Sequence, residues 1–144
     1  ANSFSPKLIA SEEHKMWYKQ KLADNNHLLL IATDTNGCPI GQIRFDLMSK
    51  ENEGELKEAK IDLSLDRCIR GHGLAVEIIQ KGLQVMTQHW GSQVKAIAEV
   101  LQNNSASNAC FARAKFKREE IERMNKYTEY SETVIRWTWC PEIQ

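Results

Sequence analysis

Between Ala59 and Val100 the chain passes from a segment that alternates apolar and polar residues, through one that repeats on a helical period, to one rich in strand formers. AKIDLSL, Ala59 to Leu65, sets Ile61, Leu63 and Leu65 against Lys60, Asp62 and Ser64, the period of two expected of a strand with one polar face. From Gly73 onward Ala75, Ile78, Ile79, Gly82, Leu83 and Met86 share one helical face, which runs out near Trp90 and Gly91. VKAIAEV, Val94 to Val100, follows directly as a second strand. Strand, helix and strand in this order form a βαβ unit, whose two strands run parallel and whose crossover is right-handed in about 98% of cases. This unit narrows the fold to a layered α/β or α+β sheet.

The flanking segments extend the sheet. Ser11 can cap a helix with Glu12 and Glu13 in its first turn and Met16, Trp17 and Leu22 as apolar contacts, ending near Asp24. His27 to Thr33 is a short apolar run, DTNG at Asp34 to Gly37 has hairpin-turn chemistry, and Ile40 to Leu47 alternates Ile43, Phe45 and Leu47 with Gln42, Arg44 and Asp46. These read as a β-hairpin. After the charged connector Ser49 to Glu58 and the βαβ unit come a short helix, Ser105 to Ala114, and two strands, Phe116 to Asn125 and Thr133 to Trp139, around a polar turn. No repeat or low-complexity tract divides the 144 residues, so a single domain is expected.

Composition excludes several classes of function. Nineteen Lys and Arg balance nineteen Asp and Glu, so no global field draws the chain to nucleic acid or to an anionic membrane. The longest apolar run, Leu28 to Ala32, is far short of the roughly 20 residues of a membrane helix, and the N-terminus has no signal-peptide pattern; a cytoplasmic location is expected. Cys38, Cys68, Cys110 and Cys140 are scattered without a CxxC pair, which suggests reduced, mostly buried thiols and no metal site.

The junction IRGHGLAVEII, Ile69 to Ile79, is where chemistry enters. A helix N-terminus leaves about four backbone N–H groups without partners and carries roughly half a positive charge. Gly71 and Gly73 let the backbone approach a bulky phosphate, and Arg70 adds a forked cationic donor. The same glycines also suit a plain structural turn. Neither a Walker loop nor a GxGxxG fingerprint is present.

RGHGLA, Arg70 to Ala75, resembles the [QR]xxGx[GA] signature of the GNAT superfamily of acyl-coenzyme A N-acyltransferases, and NSASNACFARAKF, Asn104 to Phe116, resembles the family's NxxAxxxYxxxGF block. The two stand in the family's order around the βαβ unit. The resemblance implies a GNAT fold, acetyl-CoA as cosubstrate, and direct transfer of its acetyl group to a primary amine. It places the cofactor pyrophosphate at Arg70, Gly71, His72, Gly73, Leu74 and Ala75, the pantetheine arm along the backbone of Leu63 and Leu65, and further cofactor contacts at Asn104 and Phe111. Asn104 also suits a helix cap. The family begins with a strand and a helix ahead of the helix expected at Ser11, so the chain reads as lacking them, as a fragment or a domain of a longer polypeptide would.

Two positions depart from the pattern. Phe111 stands where many relatives carry a proton-donating tyrosine, and Lys115 replaces the glycine before Phe116, which suggests a turn other than the usual left-handed one. Ser107, four residues before Phe111 on the same helical face, is the alternative proton relay if it is more than an ordinary first-turn hydroxyl; Cys110, Tyr127 and Tyr130 are weaker ones. Ser11 to Leu22, Pro39 to Asp46, AKIDLSL and NSAS together look similar to acetyltransferase domains of surface-polysaccharide biosynthesis, including those that acetylate the 4-amino group of a nucleotide-linked amino sugar on the route to pseudaminic acid. That likeness implies a sugar-nucleotide acceptor. His14 and Trp17, three apart on the expected helix, can offer it a base and an aromatic plate, or simply belong to a packed helix. Glu13 and Asp62 are alternative bases, and Gln42 and Arg44 either bind the acceptor or are solvated. Other readings are a peptide, polyamine or aminoglycoside acceptor, or a non-catalytic acyl-CoA-binding module. Trp137 and Trp139 belong to the core or to a homodimer interface.

Overall fold

The computed structural model describes residues 17–23, 25–34, 36–48, 56–65 and 73–141. Its elements, in order, are β1 (Trp17–Ala23), β2 (His27–Thr33), β3 (Pro39–Met48), β4 (Lys57–Leu65), α1 (Leu74–Trp90), β5 (Val94–Leu101), α2 (Ser105–Arg113), β6 (Lys117–Met124) and β7 (Ser131–Trp139). The strands form one sheet in the order β1-β2-β3-β4-β5-β7-β6, antiparallel throughout except for the parallel pair β4–β5 that α1 connects. The expected mixed sheet and βαβ unit are both present.

Alternation decides which face of the sheet is covered. Leu28, Leu30, Ile43, Phe45, Ala59 and Ile61 point to the helices and are buried, as are Ala96, Ala98, Val100 and Ile135 further along. The opposite face carries Gln42, Arg44, Lys60 and Asp62. From α1, Ile78, Ile79, Leu83 and Met86 pack onto this core. Burial of each large side chain contributes roughly 1.5–3 kcal/mol. Gly82 permits close approach: a Cβ there would lie 3.0 Å from Ile43 Cδ1. At the far end of α1, Trp90 Nε1 donates to the Asn25 carbonyl at 3.1 Å and fixes the helix to the β1–β2 turn. Trp137 is core, at 4% exposure.

Three expectations need correction. Residues 17–23 are strand, not the end of a helix: β1 pairs antiparallel with β2 from Trp17↔Thr33 to Ala23↔Leu28, with a register shift between Gln20 and Leu22. Trp17 and Tyr18 are good strand formers, and the outer edge of β2 offers a row of backbone partners that no isolated helix propensity includes. Ser11 and His14 lie outside the described residues. The second correction concerns Lys115, whose φ is +69°, so the left-handed turn is kept without glycine. Its N–H donates to the Ala112 carbonyl and that of Phe116 to the Phe111 carbonyl, the paired bonds of a Schellman motif, while the Phe111 and Phe116 rings meet edge-on with centroids 5.2 Å apart. The third concerns the thiols: Cys38 and Cys140 are exposed and Cys110 is half-buried, all three free, while Cys68 lies outside the described residues.

The outer strand β6 is charged along almost its whole length, with only Ile121 half-buried, which disfavours edge-to-edge pairing. It is held to β7 by Glu122, whose carboxylate accepts from Ser131 Oγ at 2.8 Å and from Thr133 Oγ1; these hydroxyls hold the carboxyl below the usual carboxylate range.

Candidate active site

The parallel ladder between β4 and β5 runs only from Lys57↔Val94 to Lys60↔Ile97, although β4 continues to Leu65 and β5 to Leu101. Each strand end follows its outer neighbour instead: Leu65 stays in register with Gly41 of β3, and Leu101 with Val134 of β7. The two strands therefore part, and the gap is a cavity of about 300 Å³ lined by residues 61–63 and 98–101 with Asn104, Ser107 and Phe111 of the α2 region. Beside it a second cavity of about 360 Å³ runs between Leu63, Ser64 and Leu65 on one side and Ala75, Ala106, Ser107 and Cys110 on the other. Together they form a cleft from the start of α1 to the inter-strand gap.

Local sequence explains the walls. Asn104 caps α2, its Oδ1 accepting from the Ser107 N–H at 3.3 Å, so the cap and the cleft wall are one residue. Small residues, Ala75 and Ala106, keep the two helix starts from filling the space between them. Gly73, with φ +76°, delivers the chain into α1 in a conformation that L side chains rarely adopt. Phe111 closes the floor of the first cavity, and its neighbour Cys110 has its thiol pushed up by burial, with the Arg113 guanidinium pulling partly back.

Of the residues singled out from sequence, Leu63, Leu65, Ala75, Asn104, Ser107 and Phe111 meet in this cleft. Gly73 and Leu74 lie at its α1 end, Leu74 buried in the core. Arg70, Gly71, His72, His14 and Glu13 lie outside the described residues, and Trp17 is described only as the first residue of β1. Gln42 lines a different cavity, of about 340 Å³, with Ile31, Pro39 and Ser64. Arg44 is held by carboxylates, its Nε 3.3 Å from Asp46 and its Nη2 3.6 Å from Asp62. Tyr127 and Tyr130 sit at the β6–β7 tip, largely exposed, and do not line the cleft.

Glu99 is the residue that sequence reasoning missed. It lines the inter-strand cavity together with Asp62, its side chain 22% exposed against 69% for Asp62. Arg136 Nη2 lies 3.1 Å from one carboxylate oxygen and Arg123 Nη1 3.5 Å from the other, so the group is fixed as well as charged. The alternation of VKAIAEV already puts Glu99 on the face away from the helices. Only the early end of the β4–β5 ladder turns that position into a cavity wall.

The parallel strand pair thus parts beside two helix starts and leaves a cleft between them. The Acetyltransferase (GNAT) domain model matches residues 2–117, and the chain belongs to this family of acetyl-CoA-dependent N-acetyltransferases. Solved structures agree in fold. A candidate phosphinothricin N-acetyltransferase superposes with TM-score 0.66 at 16% identity, over 83% of this chain and 75% of that one. A ribosomal-protein-S5-alanine acetyltransferase from Vibrio fischeri gives 0.66 at 17%, over 82% and 63%. A spermidine N-acetyltransferase chimera from Vibrio cholerae and hSSAT gives 0.65 at 16%, over 81% and 67%. The chain thus spans from 63% to 75% of the length of these structures. A comparison with curated proteins finds no sequence match.

Acetyl-CoA is the family's donor, and the described walls suit an elongated thioester: a narrow cleft, small residues at its sides and a glycine-led helix start at one end. No helix among the described residues is long and apolar enough to cross a membrane.

Proposed function

We propose that the chain acetylates a small amine that enters the inter-strand cavity as an ammonium ion, with Glu99 and Asp62 as the wall that receives it. The supporting observation is the charge of that wall. Asp62 and Glu99 are the charged side chains lining the cavity, and no lysine or arginine lines it among the described residues. Each is ion-paired from behind, Glu99 with Arg136 and Arg123 and Asp62 with Arg44, so the wall offers an ammonium ion carboxylate acceptors rather than a net negative field.

Residue roles follow from position. Gly73, Leu74 and Ala75, with Arg70, Gly71 and His72 ahead of them, seat the pyrophosphate at the positive end of α1. The backbone of Leu63 and Leu65 and the side chain of Asn104 orient the pantetheine arm along the cleft. Bound there, acetyl-CoA supplies an activated thioester carbonyl. An amine attacks only when neutral, so a proton must leave it, and Glu99, fixed by Arg136 and Arg123, is the group placed to accept it. Ser107 lines both cavities and offers the hydroxyl that Phe111 lacks to the departing sulfur. Glu99 is proposed as base in place of His14, which lies outside the described residues.

Polyamine or aminoglycoside chemistry fits such a wall better than a nucleotide-linked amino sugar, whose phosphates call for cations. Arg44, the cation nearest in sequence logic, is already held by Asp46 and Asp62. The test is release of free thiol from acetyl-CoA in the presence of polyamines, aminoglycosides, peptides with a free α-amine, and 4-amino-sugar nucleotides. The expected order puts multiply charged amines first, with kcat/KM falling as salt rises. Turnover confined to the sugar nucleotide overturns the acceptor class, and thiol release at background with every amine overturns the acetyl-transfer proposal.

A further inference from the structure

A further cavity of the described fold lies away from the cleft. It measures about 790 Å³, within the range of small-molecule sites, and shares no lining residue with either cleft cavity. Its origin is a mismatch of helix lengths. α1 runs seventeen residues and α2 only nine, so past Ala114 the second half of α1 faces the ends of β6 and β7 with no helix of the described residues beside it. Gln80, Gln84 and Gln88, spaced four apart on one face of α1, form one wall. Facing them are Trp139, which is half-buried, and the exposed Lys115 and Lys117.

The chemistry of this cavity is the inverse of the cleft's. Lys115 and Lys117 line it, and among the described residues no aspartate or glutamate does. A second observation concerns Lys115 itself. Its left-handed backbone, φ +69°, is one that glycine adopts without strain and an L residue does not, and such strain concentrates at functional positions. Here it sets an ammonium group at the cavity edge. Aromatic ring, amide side chains and paired cations together match one ligand chemistry: a ring to stack, hydroxyls to hydrogen-bond and a phosphate to neutralise.

We propose that this cavity is a second ligand site, for a phosphorylated ring compound, with the ring against Trp139 and the phosphate between Lys115 and Lys117. The site is separate from the donor's. Its lining on α1 begins at Gln80, seven positions past Gly73 and so roughly 10 Å along the axis at 1.5 Å per residue. The proposal does not depend on the acceptor assigned to the cleft.

The experiment follows the indole N–H signal of Trp139 in the full chain labelled with 15N, during titration with uridine monophosphate, glucose 1-phosphate and inorganic phosphate, each with and without saturating coenzyme A. The first two probes separate a nucleotide from a sugar phosphate. We expect a saturable shift with at least one ring phosphate, unaffected by coenzyme A, and a tenfold or greater loss of affinity in Lys115→Ala/Lys117→Ala. Lys117→Glu, a single change at an exposed strand position, gives the same readout should the double variant fold poorly. No saturable shift, displacement by coenzyme A, equal affinity for inorganic phosphate, or unchanged affinity in the folded variants overturns the site.

Discussion

Trp137 Nε1 donates to Asn108 Oδ1 at 2.8 Å, and the same amide, through Nδ2, donates to the carbonyls of Leu101 and Gln102 at 3.1 and 3.3 Å. One side chain thereby ties β7, α2 and the end of β5 together. Since α2 carries Ser107 and begins at Asn104, this tie sets one wall of the cleft.

Asn108→Ala should therefore lower stability and loosen the wall at once. Leaving the buried Trp137 N–H without its acceptor costs about 1–3 kcal/mol. Denaturant unfolding should register that loss, and KM for acetyl-CoA should rise several-fold with a smaller change in kcat. Trp137→Phe, which removes the donor but keeps the ring packing, should show the stability loss with a milder effect on KM.

Gly73 separates backbone strain from charge. Nothing lies within 4 Å of a Cβ placed there, but φ is +76°, so Gly73→Ala should cost about 1–2 kcal/mol of stability and little donor affinity. Gly73→Glu adds a negative charge where a pyrophosphate is to sit and should abolish donor binding in a titration. Equal donor affinity in the two variants would remove the α1 start from the donor site.

Glu99→Gln keeps the shape and one of the two acceptor oxygens that Arg136 and Arg123 use, while removing the proton acceptor. The expected loss in kcat is about 10²–10⁴-fold, with donor affinity unchanged. Asp62→Asn, at a more exposed position, should alter KM for the amine more than kcat.

Lys115→Gly should stabilise the fold. Glycine relieves the left-handed strain while both Schellman bonds remain, a gain of about 1 kcal/mol and a Tm higher by about 3 °C. A melting temperature at or below the starting value would mean that the lysine's own contacts outweigh its strain.

Burial raises the Cys110 thiol above its ordinary value, so the fold favours the protonated form. The stability this contributes is complete below the ordinary thiol pKa and is lost as pH rises through the elevated one. Iodoacetamide should label Cys110 slowly at pH 7, at a rate that keeps climbing past pH 9, because only the thiolate reacts. Mass spectrometry resolves it from Cys38 and Cys140, and acetyl-CoA should protect it, since it lines the donor cleft.

The sequence by itself determined what rests on short-range periodicity and capping. The amphipathic face of α1, the alternation of β4 and β5, the DTNG turn and the Asn104 cap are local patterns, and each appears where its residues predict it. Leu63, Leu65, Ala75, Asn104 and Phe111, singled out by the family resemblance, and Ser107, singled out by its helical face, line one cleft. Tertiary structure decided three things that no local pattern carries. Residues 17–23 became a strand because β2 offered an unpaired edge, a partner distant from any propensity window. Lys115 took a glycine's conformation because Phe111 and Phe116 close the turn around it, and two satisfied carbonyls with a ring contact offset the strain. Glu99 became a wall of the cleft because β4 and β5 each follow their outer neighbours past Lys60 and Ile97, opening a gap whose depth depends on pairings across the whole sheet.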